Sequence, residues 1–388
     1  MRLKIHLLVA AGLVALLLLT LTACGTKPLK KESVLDTPDN HYSQGMRELD
    51  RGNVAAAKGE FERAKALDPN YPEAYAGLGL AVAHEGQYDK ALDLVNEGLG
   101  KNDKSVEGRI CKGRVLAMQM KGEDWLENAV DEYNKALKVN PNSDKAYFYA
   151  GEAYKTAYNF ELAAAAYSKA IAMKADYAER ANEQWALVQK IQRAAPGTKI
   201  GAKIALIPEI NRADLAVLLM EEMKLAEVFA KKRQPTFDTG FKAPEDPTKM
   251  EQPEAAKLAA YTDVAENFWA KNWIADIVKI GGMEPFPDHT FRPTEKINRA
   301  NYAMVMQGIL VAATGSPALA TKYVGGESRF PDVRSDHFGY NSMALMVDRG
   351  IMNADKMSGA FNPEGYMSGA DALLAIRDFQ NALRLEFR

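Results

Sequence analysis

Along residues 38–177 apolar side chains recur every three or four positions, break at Gly, Asn, Asp or Pro, and resume, which predicts short amphipathic helices joined by tight turns. The figure also repeats as a whole. Gly45, Gly79, Gly113 and Gly151 stand 34, 34 and 38 residues apart, and Ala57, Ala91, Ala129 and Ala163 stand 34, 38 and 34 apart. Beyond each Ala comes a larger apolar residue (Phe61, Val95, Tyr133, Tyr167) and then a small one (Ala64, Gly98, Ala136, Ala170). Small residues at matching places let two helices approach, and the larger one is expected to fill the gap to the next hairpin. Four helical hairpins follow, with an insertion around "KGEDWLEN" lengthening one turn or one helix end. Pro69 and Pro141 end two of the second helices, because proline has no N–H to donate. The period continues over 178–193 with a polar outer face, as a capping helix should.

A second pattern occupies the rest of the chain. "INRADLAVLL" at 210–219 returns as "INRANYAMVM" at 297–306 and as "MSGADALLAI" at 367–376. Each copy reads as a helix start: Asn211, Asn298 and Ser368 are N-caps, with Asp214, Asn301 and Asp371 placed to reach back to them. Ile210, Ile297 and Met367 precede the caps as hydrophobic staples. A stretch rich in Pro and charge at about 235–257 interrupts the first unit.

The first residues are of another kind. Arg2 and Lys4 precede an uncharged run of Leu, Val and Ala from Leu7 to Leu21, and Leu21, Thr22, Ala23 and Cys24 follow. The run is short for a spanning helix and leads to small residues, so 1–23 read as an export signal. Those last four residues resemble the lipobox of bacterial lipoproteins. The resemblance implies cleavage before Cys24, acyl chains on that Cys, a lipidated linker over 24–37 and, with Gly25 next, an outer-membrane destination. Cys111 is the other cysteine and sits in an apolar helical pattern, which makes it a small core residue.

The four hairpins resemble the tetratricopeptide repeat, so the fold expected over 38–193 is four repeats plus a cap wound into a superhelix with a concave groove. By that resemblance the groove carries Tyr42, Met46, Leu80, Ile110, Arg114, Met118, Phe148, Glu152 and Lys155, a mixture suited to an extended peptide or a partner's helix. Around the thrice-written phrase stand Asp263, Val264, Trp269, Ala270, Thr290, Phe291 and Pro293, and again Phe330, Asp332, Val333, Gly350, Phe361 and Pro363. These resemble the S-layer homology domain. The resemblance implies an all-α fold overall, with a mainly helical, pseudo-threefold bundle over 198–388 and grooves for acidic cell-wall glycan. Arg212 and Arg299 would supply the cations there, Arg292 ranks behind them, and Asp214 and Trp269 complete the candidate glycan site. Gly369 stands where the third Arg belongs, and the first unit lacks its Phe-x-Asp-Val half.

Composition changes little. A net charge of -2 offers no field to attract nucleic acid. The five histidines fall in no metal or nucleophile motif, so no enzyme, cofactor or metal is expected. Arg at a first helical position does nothing for helix stability, since the helix dipole disfavours it, which argues for function, and the helix end offers N–H groups to an anion. The reading is a lipid-anchored envelope scaffold that holds protein in the repeat groove and glycan in the terminal module. The alternative is an assembly or docking factor for an outer-membrane secretion or pilus complex that binds no sugar.

Overall fold

The computed structural model describes residues 30–230 and 261–386, and side chains to residue 383. The export signal, Cys24 and the 235–257 insert lie outside these residues. Among the described residues the fold is helical, with two isolated bridges in place of strands, and no helix is long and apolar enough to cross a membrane. Two compact units divide between Trp185 and Ala186, inside the helix read as a cap and not after it.

The first unit contains α1 (Pro38–Asp50), α2 (Val54–Leu67), α3 (Pro72–His84), α4 (Tyr88–Lys101), α5 (Val106–Gln119), α6 (Trp125–Val139), α7 (Asp144–Thr156), α8 (Phe160–Ala172) and the start of α9 (Ala178–Ala194). Successive pairs form hairpins, and each first helix also touches the first helix of the next hairpin. The repeating small and large residues explain this. A Cβ on Gly113 would stand 2.5 Å from Tyr133, and one on Gly151 would stand 2.6 Å from Tyr167. The large residue therefore fills the space opened by the glycine of its own hairpin. Phe61 reaches the next hairpin as well, against Gly77. The insertion is shared between turn and helices: α5 has 14 residues and α6 has 15, and residues 120–124 connect them.

The second unit contains the end of α9, α10 (Lys199–Ala205), α11 (Arg212–Glu221), α12 (Leu225–Ala230), α13 (Lys271–Lys279), α14 (Arg299–Thr314), a 3₁₀ turn (Pro317–Ala320), α15 (Tyr340–Asp348) and α16 (Gly369–Glu386). Three backbone hydrogen bonds close it into a ring. Ile210 N donates to Met367 O (2.9 Å), Met367 N to Ile297 O (2.9 Å), and Ile297 N to Ile210 O (3.0 Å). The apolar residue before each cap is thus also a link in the pseudo-threefold, and all three side chains are buried. At the first residue of each helix, Arg212 N, Arg299 N and Gly369 N donate to Glu295 O, Gly365 O and Ile207 O at 2.8–2.9 Å. The third phrase therefore docks onto the short segment after α10, which occupies the place of the missing half-unit. A Cβ on Gly369 would lie 1.8 Å from Ile204 O, so glycine is required by the close approach. Underneath, the buried carboxylate of Glu222 accepts from Gly197 N, Thr198 N and the Thr198 hydroxyl and pairs with Arg377, whose Nε donates to Ala194 O.

Candidate functional site

In the ring unit the loop before each phrase is shaped by an aspartate. Asp263 accepts from Phe291 N (2.9 Å) and Arg292 N (2.6 Å), and Asp332 accepts from Phe361 N and Asn362 N at the same two distances. These bonds hold Arg292 and Asn362 in the left-handed region, at φ 54° and 56°. The Asp of the Phe-x-Asp-Val pattern is therefore a loop clamp. Its two bonds offset the cost of an uncommon backbone conformation for a side chain with a Cβ.

The clamped loop receives Arg212 from the preceding phrase. Nε donates to Phe291 O (2.7 Å) and Nη2 to Glu284 O (3.0 Å), while the guanidinium lies 4.7 Å from the centres of Phe286 and Phe291. Arg292 stacks on the same Phe286 at 3.8 Å and pairs with Asp288 at 3.1 Å. Bonds from Thr290, then from Arg292, hold the Asp288 carboxyl down at about 2. The first loop thus gathers two cations on one aromatic ring. Arg299 repeats the first half of this arrangement, with Nε to Phe361 O (2.8 Å), Nη2 to Asn353 O (2.7 Å) and its guanidinium 4.7 Å from Phe361. Asn362 replaces Arg292 there, so the second loop has one cation. Burial pulls both Arg212 and Arg299 below the usual arginine value.

Three expectations are corrected by this geometry. The N–H groups at the helix starts are not open to an anion: Arg212 N and Ala213 N donate to Glu295 O and Pro293 O, and Arg299 N and Ala300 N to Gly365 O and Pro363 O. The arginine at the first helical position does contribute to the fold, because its two donors join one unit to the next. Asp214 is 4% exposed and completes a reciprocal capping box with Asn211, so it orients α11 and does not face ligand. Trp269 is 48% exposed and packs beside Phe268 and Trp273. Its counterpart Phe338 is 75% exposed, and it was missed from sequence although it stands at the same offset from Asp332 as Trp269 does from Asp263.

In the repeat unit the nine expected groove residues divide. Tyr42, Leu80, Ile110 and Phe148 are buried core residues and leave the inner face to the other five. The Tyr42 hydroxyl donates to Glu107 across two repeats, and Arg180 from α9 lies over Phe148 and Tyr177 while approaching Asp50 of the first repeat at 3.9 Å. Met46, Arg114, Met118, Glu152 and Lys155 stay half-buried. Glu152 accepts from Lys155 (2.9 Å) and from the Tyr167 hydroxyl (2.5 Å), and Lys155 also donates to Gln184 (2.6 Å). Cys111 is completely buried and burial raises its thiol pKa, as suits a core residue. No cluster able to hold a metal ion occurs among the described residues.

Residues 42–105 match the family model of the tetratricopeptide repeat, and residues 329–373 match that of the S-layer homology domain. The chain carries both. Among curated proteins it is similar to the Photosystem I assembly protein Ycf3 of Acaryochloris marina, 28% identical over 116 residues, which are 26% of this chain and 70% of that protein. The Ycf3 of Prochlorococcus marinus strain NATL2A is 31% identical over 96 residues, covering 24% of this chain and about half (54%) of the relative. Similar solved structures include a thermophilic TPR protein of Thermus thermophilus, with 19% identity, TM-score 0.35, and coverage of 50% of this chain and 96% of that one. MamA of Desulfovibrio magneticus RS-1 has 20% identity, TM-score 0.27, and coverage of 41% and 96%.

Proposed function

We propose that this tetratricopeptide-repeat and S-layer-homology chain is a non-enzymatic scaffold of the cell envelope, anchored by acyl chains on Cys24 and directed to the outer membrane. The repeat unit binds a protein partner on its inner face, and the ring unit binds an acidic cell-wall glycan. The observation that carries the second half is the pair Arg212 and Arg292 stacked on Phe286, two cations at one aromatic surface. Guanidinium planes suit carboxylate groups of a wall polymer, and exposed rings such as Trp269 and Phe338 suit the apolar faces of sugars. Arg299 forms a weaker second site. Two modest attachments on one tether raise each other's effective concentration and so hold membrane and wall together.

The test is sedimentation of acyl-free protein with isolated cell wall. Arg292→Ala and Trp269→Ala are the variants of choice, because removing Arg212 also breaks two bonds to main-chain carbonyls. Wild type should sediment with the wall, and the double variant should do so at least tenfold less. Mass spectrometry of Cys24 tests the anchor.

A second reading is an assembly factor without a sugar site, on the pattern of the relatives named as Photosystem I assembly proteins. What favours it is the use of Nε and Nη2 of both Arg212 and Arg299 on carbonyl oxygens. Failure of wild type to sediment with any wall preparation would select it.

A further inference from the structure

Arg114 is the one place among the described residues where a buried side-chain nitrogen has no hydrogen-bond partner: its Nη1. The guanidinium carbon lies over Tyr149, 4.2 Å from the ring centre, and the residue as a whole is half-buried, so part of it still reaches solvent. A guanidinium carries five N–H donors in a fixed fork, and leaving one unpaired away from water is costly. The fold does not ask for a cation here. The position after the pairing glycine is Met46 in the first repeat, Leu80 in the second and Glu152 in the fourth.

The neighbouring charges on the same face are taken. Glu107 is held by Lys145 and the Tyr42 hydroxyl, and Glu152 by Lys155 and the Tyr167 hydroxyl, while the exposed Asp50 has Arg180 3.9 Å away. His84 stands between the influence of Arg114 and that of Asp50, and burial lowers its pKa, so it adds no charge at neutral pH. Arg114 is left as an uncompensated cation backed by aromatic rings, with Tyr149 and Phe148 both packed on Tyr177. A carboxylate set against that fork would gain charge-assisted bonds in a site of low dielectric.

We infer that the inner face of the repeat unit takes an acidic segment of a protein partner, with Arg114 as the anchor for one of its carboxylates. This rests on the reading of that face as a peptide site and names the class of peptide. The face fits an acidic chain because its unmatched charge is positive and lies against the Tyr149 ring.

Fluorescein-labelled hexaglutamate, hexaglutamine and hexalysine titrated with the full chain test the assignment, alongside Arg114→Met and Arg114→Lys variants whose helix content is checked by circular dichroism. Hexaglutamate should bind, at least tenfold more weakly to Arg114→Met and several-fold more weakly to Arg114→Lys, which keeps the charge but loses the fork. Equal binding of hexaglutamate by wild type and both variants overturns the assignment. So does binding of hexaglutamine or hexalysine at or above the level of hexaglutamate, although the face would then remain a peptide site. Failure of all three probes to bind takes the peptide site down as well.

Discussion

The repeat unit and the ring unit solve the same packing problem over different distances along the chain. In the repeats, Tyr133 meets Gly113 and Tyr167 meets Gly151, so each large side chain finds its cavity within its own hairpin. In the ring, Ile210 bonds Met367, and Arg377 donates to Glu222 O across 155 residues. Local fits can be written as a period. Closure over long spans falls to main-chain bonds, a buried ion pair and guanidinium groups that grip carbonyl oxygens, and these tolerate less change.

Arg377→Ala should break that contrast hardest. It leaves the Glu222 carboxylate buried beside Gly197 and Thr198 with its cation gone, a loss of about 3–5 kcal/mol. Hydrogen exchange should quicken in α10 and α16 and stay unchanged in α1–α4. Gly369→Arg, which restores the residue found in the other two phrases, should cost about 3 kcal/mol, because even its Cβ collides with Ile204 O. Denaturant titration of the variant reads this directly. Arg299→Ala removes two bonds to carbonyls from a half-buried cation and should cost about 2 kcal/mol, with faster exchange in the loop at 353–361.

The smallest expected effect is a divergence with pH. Burial raises the Glu222 carboxyl, but bonds from Gly197, Thr198 and Arg377 outweigh it and leave it lowered. The ring is therefore fully stabilised by it above the ordinary value of 4.5 and loses that contribution as pH falls through the lowered one. Burial lowers His41, but Glu60 and Asp36 outweigh it and raise the imidazole pKa. Its contribution to the start of the repeats is fully present below 6.5 and is lost as pH rises through the raised value. After correction for the intrinsic pH dependence of exchange, protection in α1 should fall toward alkaline pH, and protection in α10 toward acid.

Legibility in the sequence followed the same division. The glycine and alanine spacings mark the hairpins because each repeat's contacts are local. The N-caps at Asn211 and Asn298 were legible for the same reason, and Asp214 N and Asn301 N donate to them as that reading requires. The burial of Tyr42 and Phe148 was not legible, since they are covered by partners from other repeats and from α9. Nor was the work of Arg212. Judged along its own helix it is misplaced, and only the loop at 284–291, brought close by ring closure, supplies its acceptors. Gly369 reads as a degenerate arginine position until Ile204 O is seen against it.

Arg212 serves the ring fold whether or not glycan is bound, whereas Arg114 serves a partner and not the fold. Thermal unfolding of Arg212→Met and Arg114→Met, measured side by side in the absence of ligand, tests this central claim most directly. Arg212→Met should lower the melting temperature, having lost two carbonyl bonds, and Arg114→Met should raise it, gaining about 1–3 kcal/mol by removing an unpaired buried nitrogen. A fall of similar size in both variants would contradict the claim and make Arg114 one more structural cation.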